Sequence, residues 1–275
     1  MGYTVIGLGE SIGFSGRKDT VVSRRKILLV VSVWLLPWML VLSSSAADVR
    51  SRIVRCESIE QTYLYYSPEH SSKHFSERSP DQSQDNDSAL PVVMLLHGAG
   101  DRAANMLDAW KHFAAKQKII LLALELPREA KYEEAAPQIF RCVVEDAKKL
   151  VRIDPQRVYL FGNSMGGYLA YDGAMFDSQY FAAVAVHAMR IADEYGWIVS
   201  RARRKTPIAI YIGDRDQFFS VDSVRQTRDL LRRAGFPVHY VELDNHDHNY
   251  YARSDEINTD AWRFLKENSL PFPPN

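Results

Sequence analysis

The sequence predicts one α/β domain, a mostly parallel sheet with helices on both faces. Three observations predict it. Short continuous apolar runs recur at 91–96, 119–124, 182–187 and 207–212, and such runs are the buried strands of parallel sheets. Segments of helical period separate them, which implies right-handed βαβ crossovers. The chain has 275 residues, 46% hydrophobic and 25% charged, an ordinary globular composition that can bury a single core.

The first 47 residues read as an address. Ser23-Arg24-Arg25-Lys26 precedes the apolar run Ile27 to Leu42, and small residues follow up to Ala47. A basic n-region, an apolar h-region and a small-residue cleavage point form a secretory signal, with cleavage expected after Ala47. Ser23-Arg24-Arg25-Lys26-Ile27-Leu28 also resembles the twin-arginine signal; two arginines in an ordinary signal are the alternative. The run falls short of the roughly 20 residues a membrane span needs and contains Pro37. The expectation is therefore an exported chain, periplasmic or extracellular, with no stable membrane insertion once the signal is removed. If the segment is retained, it is an anchor. Residues 48–275 form the catalytic domain.

The elements of that domain follow in order. Residues 52–66 alternate in character as antiparallel strands do, and 67–89, poor in apolar residues, read as a surface loop. Then come a strand at 91–96, a helix at about 103–116, a strand at 119–124, a helix at about 135–151 and a strand at 158–161. A helix at about 165–177 leads to a strand at 182–187, and about 20 residues lead on to the strand 207–212. A helix at about 222–234, a strand at 238–243 and a helix at about 254–267 complete the domain.

Net charge is zero, and no basic excess points to nucleic acid. Cys56 and Cys142 match no metal spacing. Cys142 falls on the apolar side of its predicted helix with Ile139, Val143 and Leu150, which predicts a buried thiol; pairing with Cys56 in an oxidising compartment is the alternative.

The chemistry sits at strand ends. Gly162-Asn163-Ser164-Met165-Gly166 lies between a strand and a helix, the context of the G-x-S-x-G nucleophile elbow. The serine occupies a strained turn, so its neighbours must let strand and helix approach closely. The helix start offers free N–H groups to a developing oxyanion. His97-Gly98-Ala99-Gly100 ends the strand 91–96, where this fold supplies its second donor. The N–H groups of Met165 and Ala99 are the expected oxyanion hole, with Gly98 the alternative to Ala99, and His97 shapes the loop.

In the α/β-hydrolase fold the acid and then the base follow the serine in the chain. GDRDQFF (213–219) offers Asp214 and Asp216, and DNHDHNYY (244–251) offers His246 and His248. GDRDQFF and HDHNYY resemble the acid and histidine segments of S-formylglutathione hydrolases and esterase D. With HGAG and GNSMGG, the same elements look like those of feruloyl esterases and polyhydroxybutyrate depolymerases. The resemblance spans about 90–267 and implies a Ser164, Asp216 and His248 triad on an α/β-hydrolase fold. Asp214 is expected to face solvent or Arg215. His246 remains the rival base. His187 reads as a satisfied core histidine near the site, and His70, His74, His112 and His239 as surface residues. His246-x-His248 has the spacing of a metal pair, but no third ligand accompanies it; neither metal nor organic cofactor is expected.

These residues imply a serine carboxylesterase acting through an acyl-enzyme; the resemblance and the expected export together imply small or polymer-attached esters, including polysaccharide-linked acyl groups. Two other readings stand beside it. A peptidase of the prolyl-oligopeptidase kind shares triad and fold but usually carries a large extra domain. A non-catalytic binding protein on the same scaffold should have lost one of the three residues.

Overall fold

The computed structural model describes residues 49–68, 89–126 and 136–271. The segment 1–47, and with it the expected signal, lies outside the described residues, as do His70 and His74. Eight strands form one sheet in the order β1-β2-β4-β3-β5-β6-β7-β8. β1 (Arg50–Cys56) and β2 (Ile59–Tyr66) form an antiparallel hairpin, and β2 pairs antiparallel with β4 (Ile120–Leu124). The rest is parallel: β4 on β3 (Leu90–Leu96), then β5 (Ile153–Asn163), β6 (Ala183–His187), β7 (Ile208–Gly213) and β8 (Val238–Leu243).

Alternate residues of each central strand feed two cores. Val92, Met94 and Leu96 face one side with α2 (Ala136–Ala147), α3 (Met165–Phe176) and α4 (Val221–Arg233). Val93 and Leu95 face the other with α1 (Ala103–Gln117) and α5 (Ser254–Lys266). The two-residue period of a strand thus explains why the runs are apolar throughout: both faces are covered. α1 buries Ala103, Met106, Leu107, Trp110 and Ala114, one stripe of a 3.6-residue period. Ser220 caps α4, its Oγ accepting the Ser223 N–H at 3.2 Å, while Asp222 opens and Arg232 and Arg233 close the helix in the sense its dipole favours.

The structure departs from the sequence reading in several places. β5 begins at Ile153 rather than 158, because its start pairs with Leu90 across a register shift before the regular ladder resumes at Val92 and Val158. α2 ends at Ala147 rather than 151; Lys148 to Val151 continue as turns. The connection before β7 holds a 3₁₀ segment, Asp193–Arg201.

The expected thiol is corrected: Cys142 is bonded to Cys56, with the two Cα atoms 5.9 Å apart. The edge strand β1 packs its end on α2, so the apolar side that carries Cys142 faces Cys56. The bond closes a separation of 86 residues, worth roughly 4.6 kcal/mol in the chain-entropy account of cross-links. His239, expected at the surface, is partly buried; its Nε2 meets Asp260 Oδ2 at 2.7 Å and its ring stacks on Phe264.

Candidate active site

Four loops converge at the C-terminal ends of β3, β5, β7 and β8, where ligand sites of parallel sheets form. Ser164 stands between β5 and α3 at φ 51° and ψ −119°, a region that costs a non-glycine residue about 1–3 kcal/mol. The glycines beside it make the turn feasible. A Cβ on Gly162 would lie 2.2 Å from the Gly166 carbonyl oxygen, and one on Gly166 would lie 2.0 Å from that of Leu96. The turn is fastened to β6, where the Ser164 N–H donates to the His187 carbonyl at 2.9 Å.

Ser164 Oγ lies 2.9 Å from His248 Nε2, and His248 Nδ1 lies 2.7 Å from Asp216 Oδ2. The carboxylate only accepts, so Nδ1 carries the proton and Nε2 is free to accept from the serine hydroxyl. Asp216 Oδ1 accepts the N–H groups of Phe218 and Phe219 at 2.8 and 2.9 Å. Burial of the Asp216 side chain favours its neutral form, but the hydrogen bonds from His248 and from those two backbone groups outweigh it. They hold the carboxyl below its ordinary range. The exposed Phe218 ring packs edge-on against His248, with centroids 4.6 Å apart. The sequence reading gave Phe218 no place, although its position two residues after Asp216 could have drawn attention.

The rivals lie elsewhere. Asp214 is exposed and its Oδ1 accepts the His246 N–H at 3.2 Å, while Arg215 pairs with Asn245. His246 is buried and directs Nε2 at His187 Nε2, 3.0 Å away, rather than at the serine. His187, also buried, places Nδ1 2.8 Å from Asn163 Oδ1. Burial first, then the neighbouring His246 and His248, push the His187 imidazole down to about 3. Burial and then Arg253 lower His246.

The loop after β3 reaches the same point. His97 accepts the Leu126 N–H on Nε2 at 3.0 Å, which leaves Nδ1–H to donate to the Gly98 carbonyl at 2.8 Å. That carbonyl also accepts the Asp101 N–H at 3.2 Å, closing a turn with Gly100 at φ 74°, where a side chain would be strained. A Cβ on Gly98 would lie 3.4 Å from Ser164 Cβ, so the loop that carries Ala99 abuts the serine, and the Met165 N–H opens α3. Tyr251, three residues beyond His248, hydrogen-bonds Asp101 and ties this loop to the histidine loop.

The chain has known counterparts. A family model described as the dienelactone hydrolase family matches residues 103–268. A stretch of 116 residues is 30% identical to the multifunctional-autoprocessing repeats-in-toxin of Vibrio cholerae, covering 39% of this chain and 2% of that protein. The chain therefore spans about 2% of the length of the curated relatives it matches. A crystal structure of a thermostable esterase is similar with a TM-score of 0.63 at 18% identity, over 81% of this chain and 63% of that one. S-formylglutathione hydrolase FrmB of Staphylococcus aureus gives 0.63 at 15% identity, over 79% of this chain and 98% of that one. At such identities the likeness shows the fold alone, that of an α/β-hydrolase.

Proposed function

We propose, from the premise that this chain belongs to the dienelactone hydrolase family and is a hydrolase acting on esters, that Ser164 is its nucleophile, His248 its general base and Asp216 the acid that orients the base. The observation that carries the assignment is the unbroken chain Ser164 Oγ, His248 Nε2, His248 Nδ1, Asp216 Oδ2, at 2.9 and 2.7 Å. His248 takes the hydroxyl proton as Ser164 attacks the ester carbonyl, and Asp216 stabilises the imidazolium. The N–H groups of Met165 and Ala99 donate to the oxyanion, with Gly98 the alternative second donor. The imidazolium then protonates the leaving alcohol. Water deprotonated by His248 attacks the acyl-serine, and its proton returns to Ser164 as the acid departs.

Export belongs to the same proposal. The signal-like segment 1–47 supports it, as does the Cys56–Cys142 bond, since such bonds persist in oxidising compartments. Among the described residues no helix is long and apolar enough to cross a membrane. Polymer-attached esters, including acyl groups on polysaccharide, are the proposed natural substrates. The short segment between β6 and β7 and the exposed Phe218 favour an open site.

The test is initial-rate hydrolysis of p-nitrophenyl acetate and butyrate by the full chain, beside Ser164→Ala, His248→Ala and His246→Ala. Ser164→Ala and His248→Ala should abolish turnover, and His246→Ala should retain part of it. Turnover that survives Ser164→Ala would sink the assignment. Loss with His246→Ala and retention with His248→Ala would move the base to His246.

A further inference from the structure

We propose that Asn163, His187 and His246 form a hydrogen-bonded strut beneath the site that sets where His248 stands relative to Ser164, so that all three are positioning residues. The inference rests on the reading of Ser164 as nucleophile and His248 as base. Asn163 immediately precedes Ser164, and His246 stands two residues before His248. His187 joins them from β6, where it pairs in register with Asn163.

The proton positions follow from the partners. The Asn163 amide oxygen can only accept, so His187 Nδ1 carries a proton and donates to it at 2.8 Å. His187 Nε2 is then bare, and accepts from His246 Nε2–H at 3.0 Å. One tautomer of each ring satisfies the chain from end to end. The His187 carbonyl also accepts the Ser164 N–H, so the same residue holds the nucleophile by its main chain and the base loop by its side chain.

Each end is fastened again. The His246 N–H donates to Asp214 Oδ1, and its carbonyl accepts the Arg215 N–H at 2.9 Å, anchoring the base loop on the loop that carries Asp216. At the other end Asn163 Nδ2 lies under Gly98, 3.3 Å from where a Cβ would stand. The strut therefore touches the nucleophile turn, the base loop, the acid loop and the loop of the proposed oxyanion donors. It does so without using the bond between Ser164 and His248.

Packing alone does not ask for these residue types. His187 and His246 lie against one another, and His187 against Tyr250, which packs on Phe161, in a buried setting where apolar side chains of similar volume would fill the space without desolvation cost. Apolar contacts tolerate sliding; a chain of directed hydrogen bonds in low dielectric does not. Holding His248 Nε2 at reaction distance from Ser164 Oγ needs that restriction, since a misplacement of about 1 Å costs on the order of 100-fold in rate.

The test uses the full chain with His246→Leu, His246→Gln and Asn163→Ala, reading kcat and KM on p-nitrophenyl acetate beside each melting temperature. Glutamine presents an N–H near the position of Nε2–H; leucine does not. His246→Leu should lose roughly 10- to 100-fold in kcat with KM changed less than about threefold. His246→Gln should recover most of that loss. Asn163→Ala, acting from the far end, should show the same fall in kcat alone, which keeps the test decisive if His246→Leu does not fold. Folded His246→Leu and Asn163→Ala variants with wild-type kcat would overturn the strut, as would equal losses in the glutamine and leucine variants. If wild-type hydrolysis depends on Ser164 while all three variants match it, the strut alone fails. If wild type shows no Ser164-dependent hydrolysis, the site assignment fails and the strut with it.

Discussion

Replacing Asp216 by asparagine changes a single atom in a place where the structure dictates how the new side chain must lie. Oδ1 accepts two backbone N–H groups, from Phe218 and Phe219, and Oδ2 accepts His248 Nδ1–H. In Asp216→Asn the amide oxygen must keep the Oδ1 position, because an NH2 there would face two donors. The NH2 therefore replaces Oδ2 and points at His248 Nδ1. To accept it, the imidazole shifts its proton to Nε2, which then donates toward Ser164 Oγ and cannot take the serine proton. The wrong tautomer in a serine triad costs on the order of 10⁴ in kcat, about 5 kcal/mol of barrier. The fold loses only a charge-assisted hydrogen bond, about 1–3 kcal/mol. The assay is kcat on p-nitrophenyl acetate near pH 8, with the melting temperature measured on the same preparation. Asp214→Asn is the control: Asp214 is exposed and accepts only a backbone N–H, which an amide oxygen also accepts. A folded Asp216→Asn variant that keeps kcat within about tenfold of wild type would refute the tautomer argument.

Gly166→Ala places a Cβ 2.0 Å from the Leu96 carbonyl oxygen and 2.7 Å from that of His97, and backbone on both sides leaves nothing to yield. Destabilisation of about 3 kcal/mol or more is expected, and an unchanged melting temperature would contradict the close approach of α3 to β3. Acid should weaken the fold through His187, whose imidazole falls from the ordinary 6.5 to about 3. In that window the unfolded chain binds a proton the folded chain refuses, so stability drops as pH falls below 6.5, by about 3 kcal/mol on reaching pH 4. Asp216 has linkage of the same sign in a lower window, its stabilisation present above the ordinary 3.8 and lost as pH falls through its lowered value. Urea unfolding from pH 4 to 7 should therefore show a steeper pH dependence in wild type than in His187→Gln; parallel curves would reject the burial argument. Substituting both Cys56 and Cys142 by alanine should lower the melting temperature by about 10 °C with kcat retained, because β1 and α2 carry none of the proposed catalytic groups. A fall in kcat without a change in melting temperature would contradict it.

What the sequence made legible was local and ordered. The central parallel strands β3, β4, β6 and β7 are apolar runs because both their faces are covered, and the motifs that bear Ser164, Asp216 and His248 sit at strand ends because loops there meet at one point. The neighbours of Ser164 were legible as glycines, and the close approach of α3 to β3 and β5 gives the reason. The remainder depends on where distant segments meet, which no spacing records. Cys142 lies on an apolar helix stripe, as a buried thiol would, and only the docking of the edge strand β1 on α2 brings Cys56 to it. His187 ends a strand and reads alone as a satisfied core histidine; that its partner is His246, 59 residues on, follows from the fold bringing the β8 loop over β6.

That meeting also bears on why this segment carries two histidines. His246 and His248 lie on one short loop, and the sequence poses them as rivals for a single role. Their partners separate them: the imidazole at His248 faces Ser164 and Asp216, and the one at His246 faces His187. An imidazole hydrogen-bonded to Asp216 gains a partner for its cation, as a base in this reaction requires. One pressed against a second buried imidazole is held neutral, since burial and the nearby charge of Arg253 both oppose protonation. The same residue type, two positions apart, is thus suited to opposite tasks. In the proposed mechanism the first accepts a proton during turnover, and in the proposed strut the second keeps its proton fixed to hold the first in place.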